Sequence, residues 1–114
     1  FKSFKNKKTL MAMTAHVIYQ KYDPANTATH SKHIINKIIR NEIKFKNILI
    51  SDDISMKSLK NDFKTNVMKA FEAGCNIVLH CNGNIKEMNT LAKISPKIDN
   101  FMVKKTSELY KFLL

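Results

Sequence analysis

Two adjacent carboxylates, Asp52 and Asp53, follow the apolar run "NILIS" of residues 47–51. A carboxylate held at the end of a rigid strand can serve as a nucleophile, a general base or a metal ligand. Successive residues of a strand point to opposite faces of the sheet, so Asp52 and Asp53 are expected to diverge. That divergence argues against a metal site built from both acids. It favours one working acid and one neighbour that braces the following loop through backbone hydrogen bonds.

The other chemically capable residues give weaker signals. Cys75 and Cys81 stand in apolar surroundings without disulfide or zinc spacing, so both are predicted to be reduced, packed thiols and not nucleophiles. His80 lacks companion ligands for a metal and is predicted to be a packed or rim histidine, whereas His30 and His33 are predicted to be exposed. With only 2 glycines, the chain has neither a phosphate loop nor a dinucleotide fingerprint. No metal and no cofactor is predicted.

Three short apolar runs alternate with amphipathic stretches. The runs cover residues 10–15, 47–51 and 76–81 and are predicted to be strands. This alternation indicates a parallel sheet with right-handed crossovers, in which ligands meet the C-terminal strand ends. All three runs end on polar residues, namely Thr14 and His16, then Ser51, Asp52 and Asp53, then His80 and Asn82. Strand ends are also polar where they only meet solvent, so the pattern alone leaves a site and a solvated edge equally open.

Apolar residues at three- and four-residue spacing predict four helices. These helices are predicted to begin at Ser31, near Leu59, near Ile85, and at Ser95 with Pro96 as the first helical residue. Gly74 is predicted to cap the second helix at its C-terminus. The predicted element order is therefore βαβαβαα, an α/β fold.

Composition and charge narrow the functional classes. The 114 residues are 44% apolar, which fits one folded domain, and no segment approaches the ~20 apolar residues of a membrane helix. The start "FKSFKNKK" lacks the apolar stretch of a signal peptide, so a soluble, unexported protein without a membrane partner is expected. The net charge is +11, but apart from that start the lysines are scattered among acids and amides. This distribution argues against nucleic acid as a partner.

Four segments resemble the C-terminal third of the family 3 β-N-acetylhexosaminidases. They are "MTAHVIY" (13–19), "DPANTATHS" (23–31), "ISDDISM" (50–56) and "AFEAGCNIVLHCN" (70–82). The pairing of "ISDDISM" with "MTAHVIY" is specific, and the resemblance runs across nearly the whole chain. It implies that residues 1–114 are the last three strand–helix units of an incomplete (β/α)8 TIM barrel. It also implies a cytoplasmic glycosidase that removes terminal N-acetylglucosamine from peptidoglycan fragments during cell-wall recycling.

The resemblance also implies roles for three residues. Asp52 takes the position of the retaining nucleophile, Met56 that of a residue lying against the sugar, and His16 that of a residue near the pocket floor. The family's acid–base pair and its sugar-gripping arginine and lysine lie upstream of the resembling segment. The expected partners are therefore an N-acetylglucosamine saccharide and a complementary N-terminal barrel fragment, without which the chain is expected to be inactive. An inactive remnant, or a basic interaction or nucleic-acid-binding module, is the alternative.

An incomplete barrel is also expected to leave one face of its sheet uncovered. The residues expected on that inner face are Met11, Ile48, Ile50 and Ile77 or their neighbours. An uncovered apolar face and an open strand edge both favour association with another polypeptide.

Overall fold

The computed structural model describes residues 9–114, so the basic start "FKSFKNKK" lies outside the described residues. Its strands are β1 (Met11–Met13), β2 (Ile48–Asp53) and β3 (Ile77–Leu79), and they form one parallel sheet in the order β1-β2-β3. Met11 lies opposite Ile48 in the first pairing, and Ile50 lies opposite Ile77 in the second. The predicted parallel sheet is confirmed, although β1 and β3 are shorter than the apolar runs that predicted them.

Helical segments follow each strand. They are a 3₁₀ turn (Ala28–His30), a π-helix (Ile34–Glu42), α1 (Phe63–Ala73), α2 (Ile85–Ile94) and α3 (Asn100–Leu113). This sequence of elements confirms the predicted order βαβαβαα. Three parallel strands alternating with helices form an open, unclosed sheet, as in one segment of a (β/α)8 barrel.

The first predicted helix is correctly placed but has an unexpected geometry. Lys32 and His33 form the helical lead-in to the π-helix. Ser31 caps this helical segment, because the Ser31 hydroxyl accepts a hydrogen bond from the Ile34 N–H at 3.1 Å. Near its end the Ile43 N–H donates to the Ile38 carbonyl at 2.8 Å, a five-residue step that defines a π-helix. Within this helix, the side chains of Ile34 and Ile35 are buried. The isoleucine spacing predicted the buried face, but it could not distinguish a π-helix from an α-helix.

Helix α1 is capped at both ends. The Asp62 carboxylate accepts a hydrogen bond from the Thr65 N–H at 3.1 Å. Gly74 ends the helix with φ of +117°, in the left-handed region, as predicted. Leu59 lies before the helix, not in its first turn, yet its side chain is buried in the core.

The predicted start of the last helix is wrong. Ser95 ends α2, because its hydroxyl donates to the Leu91 carbonyl at 2.7 Å and its N–H donates to the same oxygen at 2.9 Å. Helix α3 begins at Asn100, where the Asp99 carboxylate accepts from the Met102 N–H at 2.7 Å. A loop therefore separates Ser95 from α3, and Asp99 supplies the N-terminal cap that the sequence pattern placed at Ser95.

The core lies between the sheet and the helices. Its buried members are Ile35, Phe45, Leu49, Ile54, Leu59, Val67, Ala70, Ala73 and Cys75. Of the residues expected on an uncovered inner face, Ile48 is only 2% exposed, so the expectation is wrong there. Met11, Ile50 and Ile77 are partly buried, whereas the neighbouring Met13 is 57% exposed. Among residues 9–114, no helix combines the length and apolar character needed to cross a bilayer.

Candidate functional site

The polar ends of all three strands meet at Asp53. From beyond β1, the Nε2 atom of His16 donates to the Asp53 carbonyl oxygen at 2.8 Å. From beyond β3, the Cys81 N–H donates to the Asp53 carboxylate at 3.1 Å. The parallel topology therefore brings the predicted site residues to one edge of the sheet, the edge formed by the C-terminal strand ends.

Asp53 braces the loop that follows β2. Its carboxylate accepts hydrogen bonds from the Ser55 N–H at 3.0 Å and from the Ser55 hydroxyl at 2.7 Å, in addition to the Cys81 N–H. Burial raises the pKa of this carboxyl. The hydrogen bonds from Ser55 and Cys81, together with the nearby His80 ring, lower the pKa by more than burial raises it. The net pKa is below the ordinary value of 3.8. The predicted bracing role of one of the two acids is confirmed for Asp53.

The neighbouring acid has a different environment. The Asp52 carboxylate is partly buried, and it accepts a hydrogen bond from the Asp53 N–H at 2.9 Å. Within residues 9–114, the structure gives this carboxylate no other hydrogen bond or ion pair. Most of its hydrogen-bonding capacity is thus available to a molecule from outside the chain.

The strict alternation assumed for the two acids is interrupted. Ile50 pairs with Ile77 and Asp53 pairs with Leu79, so β2 advances three residues while β3 advances two. This offset is a β-bulge, which places one extra residue on β2 between Ile50 and Asp53, so Asp52 lies within the bulged stretch. The different roles of Asp52 and Asp53 therefore rest on this local geometry and on their hydrogen bonds, and not on simple strand periodicity.

His16 belongs to a chain of buried polar groups. Its Nε2 atom must carry a proton, because the Asp53 carbonyl can only accept. In the neutral ring the Nδ1 atom therefore accepts from the Thr29 hydroxyl at 2.9 Å, and Thr29 in turn accepts from the Thr14 hydroxyl at 2.9 Å. Both ring nitrogens of His16 are thus engaged within the protein. Thr29, which is fully buried, was not recognised from the sequence.

The loop between β1 and the π-helix positions Thr29. The Asp23 carboxylate accepts from the Asn26 N–H at 3.0 Å and from the Ser31 hydroxyl at 2.6 Å. The Ser31 hydrogen bond is the main cause of an Asp23 pKa below its ordinary value. Asp23 therefore ties the two ends of this loop together around the 3₁₀ turn that carries Thr29. The sequence signal was the "DPANTATHS" segment, in which Asp, Asn and Ser are typical loop-bonding residues.

Met56 lies on the turn directly after the acids. Its N–H donates to the Asp53 carbonyl at 3.1 Å, and its side chain is 43% exposed. The structure therefore places the predicted residues His16, Asp52 and Met56 at the same edge of the sheet, and all three bind the backbone of Asp53.

Comparison with known proteins shows the family to which the chain belongs. Residues 1–107 match the model of the glycosyl hydrolase family 3 N-terminal domain. The chain belongs to glycosyl hydrolase family 3. Beta-hexosaminidase from Haemophilus ducreyi is 34% identical over 105 residues, which cover 87% of this chain and 30% of the relative. The chain spans about a third of the length of such relatives.

Solved structures agree with this family assignment. Native NagZ from Neisseria gonorrhoeae matches 91% of this chain and 29% of its own, with a TM-score of 0.75 and 27% identity. The same protein in complex with N-trifluoroacetyl-D-glucosamine matches 82% of this chain and 26% of its own, with a TM-score of 0.67 and 29% identity. The open sheet of this chain thus corresponds to one segment of a family 3 enzyme.

A second polar cluster lies at the site edge, around His80. The Nε2 atom of His80 lies 2.7 Å from the Glu87 carboxylate, which also accepts from the Asn82 side chain at 2.8 Å. The His80 ring packs edge-on against Phe63, with ring centroids 5.5 Å apart. The hydrogen bond from His80 lowers the pKa of Glu87. The prediction of a packed or rim histidine is confirmed, because the His80 side chain is 5% exposed.

The two cysteines and the histidines of the "THSKH" segment match their predicted environments only in part. Cys75 and Cys81 are both free thiols, but only Cys75 is buried, so the prediction of a packed Cys81 is wrong. Burial raises the pKa of Cys75 to about 11, which keeps it protonated and unreactive at neutral pH. The prediction of an exposed His30 is wrong, because the ring is partly buried and its Nε2 atom donates to the Asn66 carbonyl at 3.0 Å. This burial lowers the pKa of His30. His33 is exposed as predicted.

Proposed function

We propose that this chain supplies the nucleophile-bearing segment of a β-N-acetylhexosaminidase, with Asp52 as the nucleophile. The substrate is a terminal, non-reducing N-acetyl-β-glucosaminide, and the proposed setting is cytoplasmic recycling of cell-wall fragments. The observation that carries the proposal is the contrast between Asp53, whose carboxylate is occupied by Ser55 and Cys81, and Asp52, whose carboxylate is nearly free. The names of the relatives support the reaction, and the N-trifluoroacetyl-D-glucosamine bound by NagZ supports the sugar class.

The chemistry needs an unpartnered carboxylate. In a retaining glycosidase one carboxylate attacks the anomeric carbon, and the leaving oxygen departs with a proton from a second group. Water then hydrolyses the glycosyl-enzyme and restores the carboxylate. Asp52 fits the first role because its oxygens can approach the sugar, while Asp53 is committed to holding the loop. We assign the acid–base role and most sugar contacts to the part of the family barrel outside the matched third, so that part is the proposed partner.

His16 and Met56 complete the proposal as residues that shape the sugar pocket. Met56 offers an exposed thioether side chain directly after the acids. His16 has both nitrogens engaged, so only its ring surface is free to contact a sugar. We therefore propose a weaker contribution from His16 to sugar affinity than to the position of the Asp53 backbone.

The test uses an assembled barrel, defined here as residues 1–114 co-expressed with the complementary N-terminal portion of NagZ from Neisseria gonorrhoeae. The assembled barrel should release nitrophenol from 4-nitrophenyl N-acetyl-β-glucosaminide, whereas residues 1–114 alone should not. Asp52→Asn should lower turnover by roughly 10³-fold or more, because the covalent intermediate cannot form. Asp52-dependent turnover by the 114-residue chain alone would overturn the requirement for a partner portion.

A second assay separates a nucleophile from a residue that only stabilises the site. In Asp52→Ala, azide can enter the space vacated by the carboxylate and attack the same face of the sugar. The product should be the α-glycosyl azide, since a single displacement inverts the β-glycoside. Formation of the β-glycosyl azide, or full activity of Asp52→Asn in the assembled barrel, would contradict the assignment of Asp52.

A further inference from the structure

Strands β2 and β3 fall out of regular register between Ile50 and Asp53, a stretch that contains the first of the two acids. Ser51 and Asp52 lie between the paired residues Ile50 and Asp53, whereas a single residue lies between their partners on β3. Bulges of this kind bend the strand locally and redirect the side chains that follow. Something must hold the extra residue, because the backbone groups of a bulge are left without regular partners.

The Ser51 hydroxyl occupies this position. Ser51 is 0% exposed, and its oxygen accepts a hydrogen bond from the Leu79 N–H at 3.0 Å. The same hydroxyl donates to the Asp52 carbonyl at 2.8 Å. A hydroxyl can both donate and accept, and here it uses both capacities to connect the two strands across the extra residue. Alanine could make neither bond.

We propose that Ser51 is a positioning residue for the glycosidase reaction, whose hydroxyl holds the bulge that separates Asp52 from Asp53. The inference rests on the proposed function, in which Asp52 is the nucleophile. With the bulge in place, the Asp53 carboxylate reaches the Cys81 N–H beyond β3, and the Asp52 carboxylate has the Asp53 N–H as its one hydrogen-bond partner among residues 9–114. Without the hydroxyl, the Leu79 N–H and the Asp52 carbonyl each lose a hydrogen-bond partner, which favours a shift of the strands, and a shift of one residue exchanges the faces of the acids.

The experiment compares Ser51→Ala, Ser51→Cys and Ser51→Thr in the assembled barrel. Alanine removes the hydroxyl, cysteine keeps most of the volume but bonds weakly, and threonine keeps the hydroxyl. Ser51→Ala and Ser51→Cys should lower kcat by roughly 10- to 100-fold with KM changed less than about threefold, because a misplaced nucleophile slows chemistry more than binding. Ser51→Thr should recover most of kcat. Ser58→Ala, at an exposed loop serine, is the matched control and should match the unsubstituted barrel.

Amide hydrogen exchange at Leu79 reports on the bulge without any activity. Exchange should be about 10-fold faster or more in Ser51→Ala and close to normal in Ser51→Thr, since the hydroxyl protects that N–H. An unchanged Leu79 amide in Ser51→Ala, or a kcat within about threefold of normal, would overturn the inference. If Asp52→Asn is inactive and Ser51→Ala has normal activity, the positioning role of Ser51 is refuted while the proposed function stands. If Asp52→Asn is active, the proposed function fails, and Leu79 exchange still decides whether Ser51 holds the bulge.

Discussion

Substituting Asp53 by asparagine should destabilise the protein while leaving its proposed nucleophile in place. The Asp53 carboxylate accepts from two backbone N–H groups, those of Ser55 and Cys81, and from the Ser55 hydroxyl. Hydrogen bonds to a charged group contribute about 1.5–3 kcal/mol each, compared with about 0.5–1.5 kcal/mol for neutral partners. The Ser55 hydroxyl can rotate and accept a hydrogen bond from the amide N–H of the new asparagine, so this contact is kept. The two backbone bonds each lose about 1 kcal/mol, so Asp53→Asn should cost about 2 kcal/mol of unfolding free energy.

The assay is thermal unfolding of the assembled barrel at a fixed protein concentration, combined with steady-state kinetics. In large domains a loss of 1 kcal/mol of unfolding free energy lowers Tm by roughly 2–4 °C, so Asp53→Asn should lower Tm by about 4–8 °C. Asp52→Asn is the matched control, because its amide oxygen can still accept from the Asp53 N–H and Tm should change little. The order of the two variants should be the opposite for kcat, which Asp52→Asn should lower far more than Asp53→Asn. Equal kinetic losses in the two variants at an unchanged Tm would refute the division of roles.

The acid dependence of this stabilisation follows from the direction of the pKa shift. The pKa of Asp53 is lower in the folded protein than its ordinary value, so folding favours the ionised form. The resulting stabilisation is fully present above the ordinary carboxyl pKa of 3.8 and is lost as pH falls through the folded pKa. The Tm difference between the unsubstituted barrel and Asp53→Asn should therefore be constant near neutral pH and shrink below about pH 4. A difference that grew with acidification would contradict this sign.

Two further predictions concern the scaffold, and both are checked by chemical denaturation of the assembled barrel. Gly74→Ala should cost about 2–4 kcal/mol, because φ is +117° and a Cβ atom would lie 3.0 Å from Ile35 Cγ2. The control Gly83→Ala, with φ of +71° and no atom within 4 Å, should cost only about 1 kcal/mol, so equal losses would argue against the Ile35 contact. Arg40→Lys keeps the charge but cannot donate to the carbonyls of Phe45 and Asn47 and the side chain of Asn76 together, so it should cost about 2 kcal/mol. An unchanged denaturation midpoint would show that this guanidinium is dispensable.

The features that the sequence predicted correctly are those with local causes. Ser31 caps a helix because its own hydroxyl reaches an N–H three residues on, and Gly74 ends one because its own φ is positive. Such contacts depend on near neighbours, so residue type and spacing are sufficient to predict them. The parallel sheet could also be predicted from the sequence, since short apolar strands alternating with amphipathic helices have few other packing solutions.

The features that were missed depend on residues distant in the sequence. At the bulge that contains Asp52, the Ser51 hydroxyl accepts from the Leu79 N–H, 28 positions away along the chain. A serine at a strand end looks the same whether its hydroxyl meets solvent or another strand. Thr29 was missed for the same reason, since its role depends on His16 and Thr14 across a loop. The wrong start of α3 had a local cause, because Asp99 was a second capping residue that competed with Ser95.

The candidate site faces a physical conflict that this network can resolve. A nucleophile must keep its carboxylate free for substrate, so it cannot be held in place by strong hydrogen bonds to that carboxylate. Asp52, the proposed nucleophile, is held instead through the backbone: the Ser51 hydroxyl donates to its carbonyl, and His16 donates to the carbonyl of the next residue, Asp53. Asp53 carries the charged contacts that anchor the loop. Rigidity at this edge of the sheet therefore comes from the neighbours of Asp52. If Asp52 is the nucleophile, changes at Ser51 and Asp53 should reduce catalysis although neither side chain needs to touch the sugar.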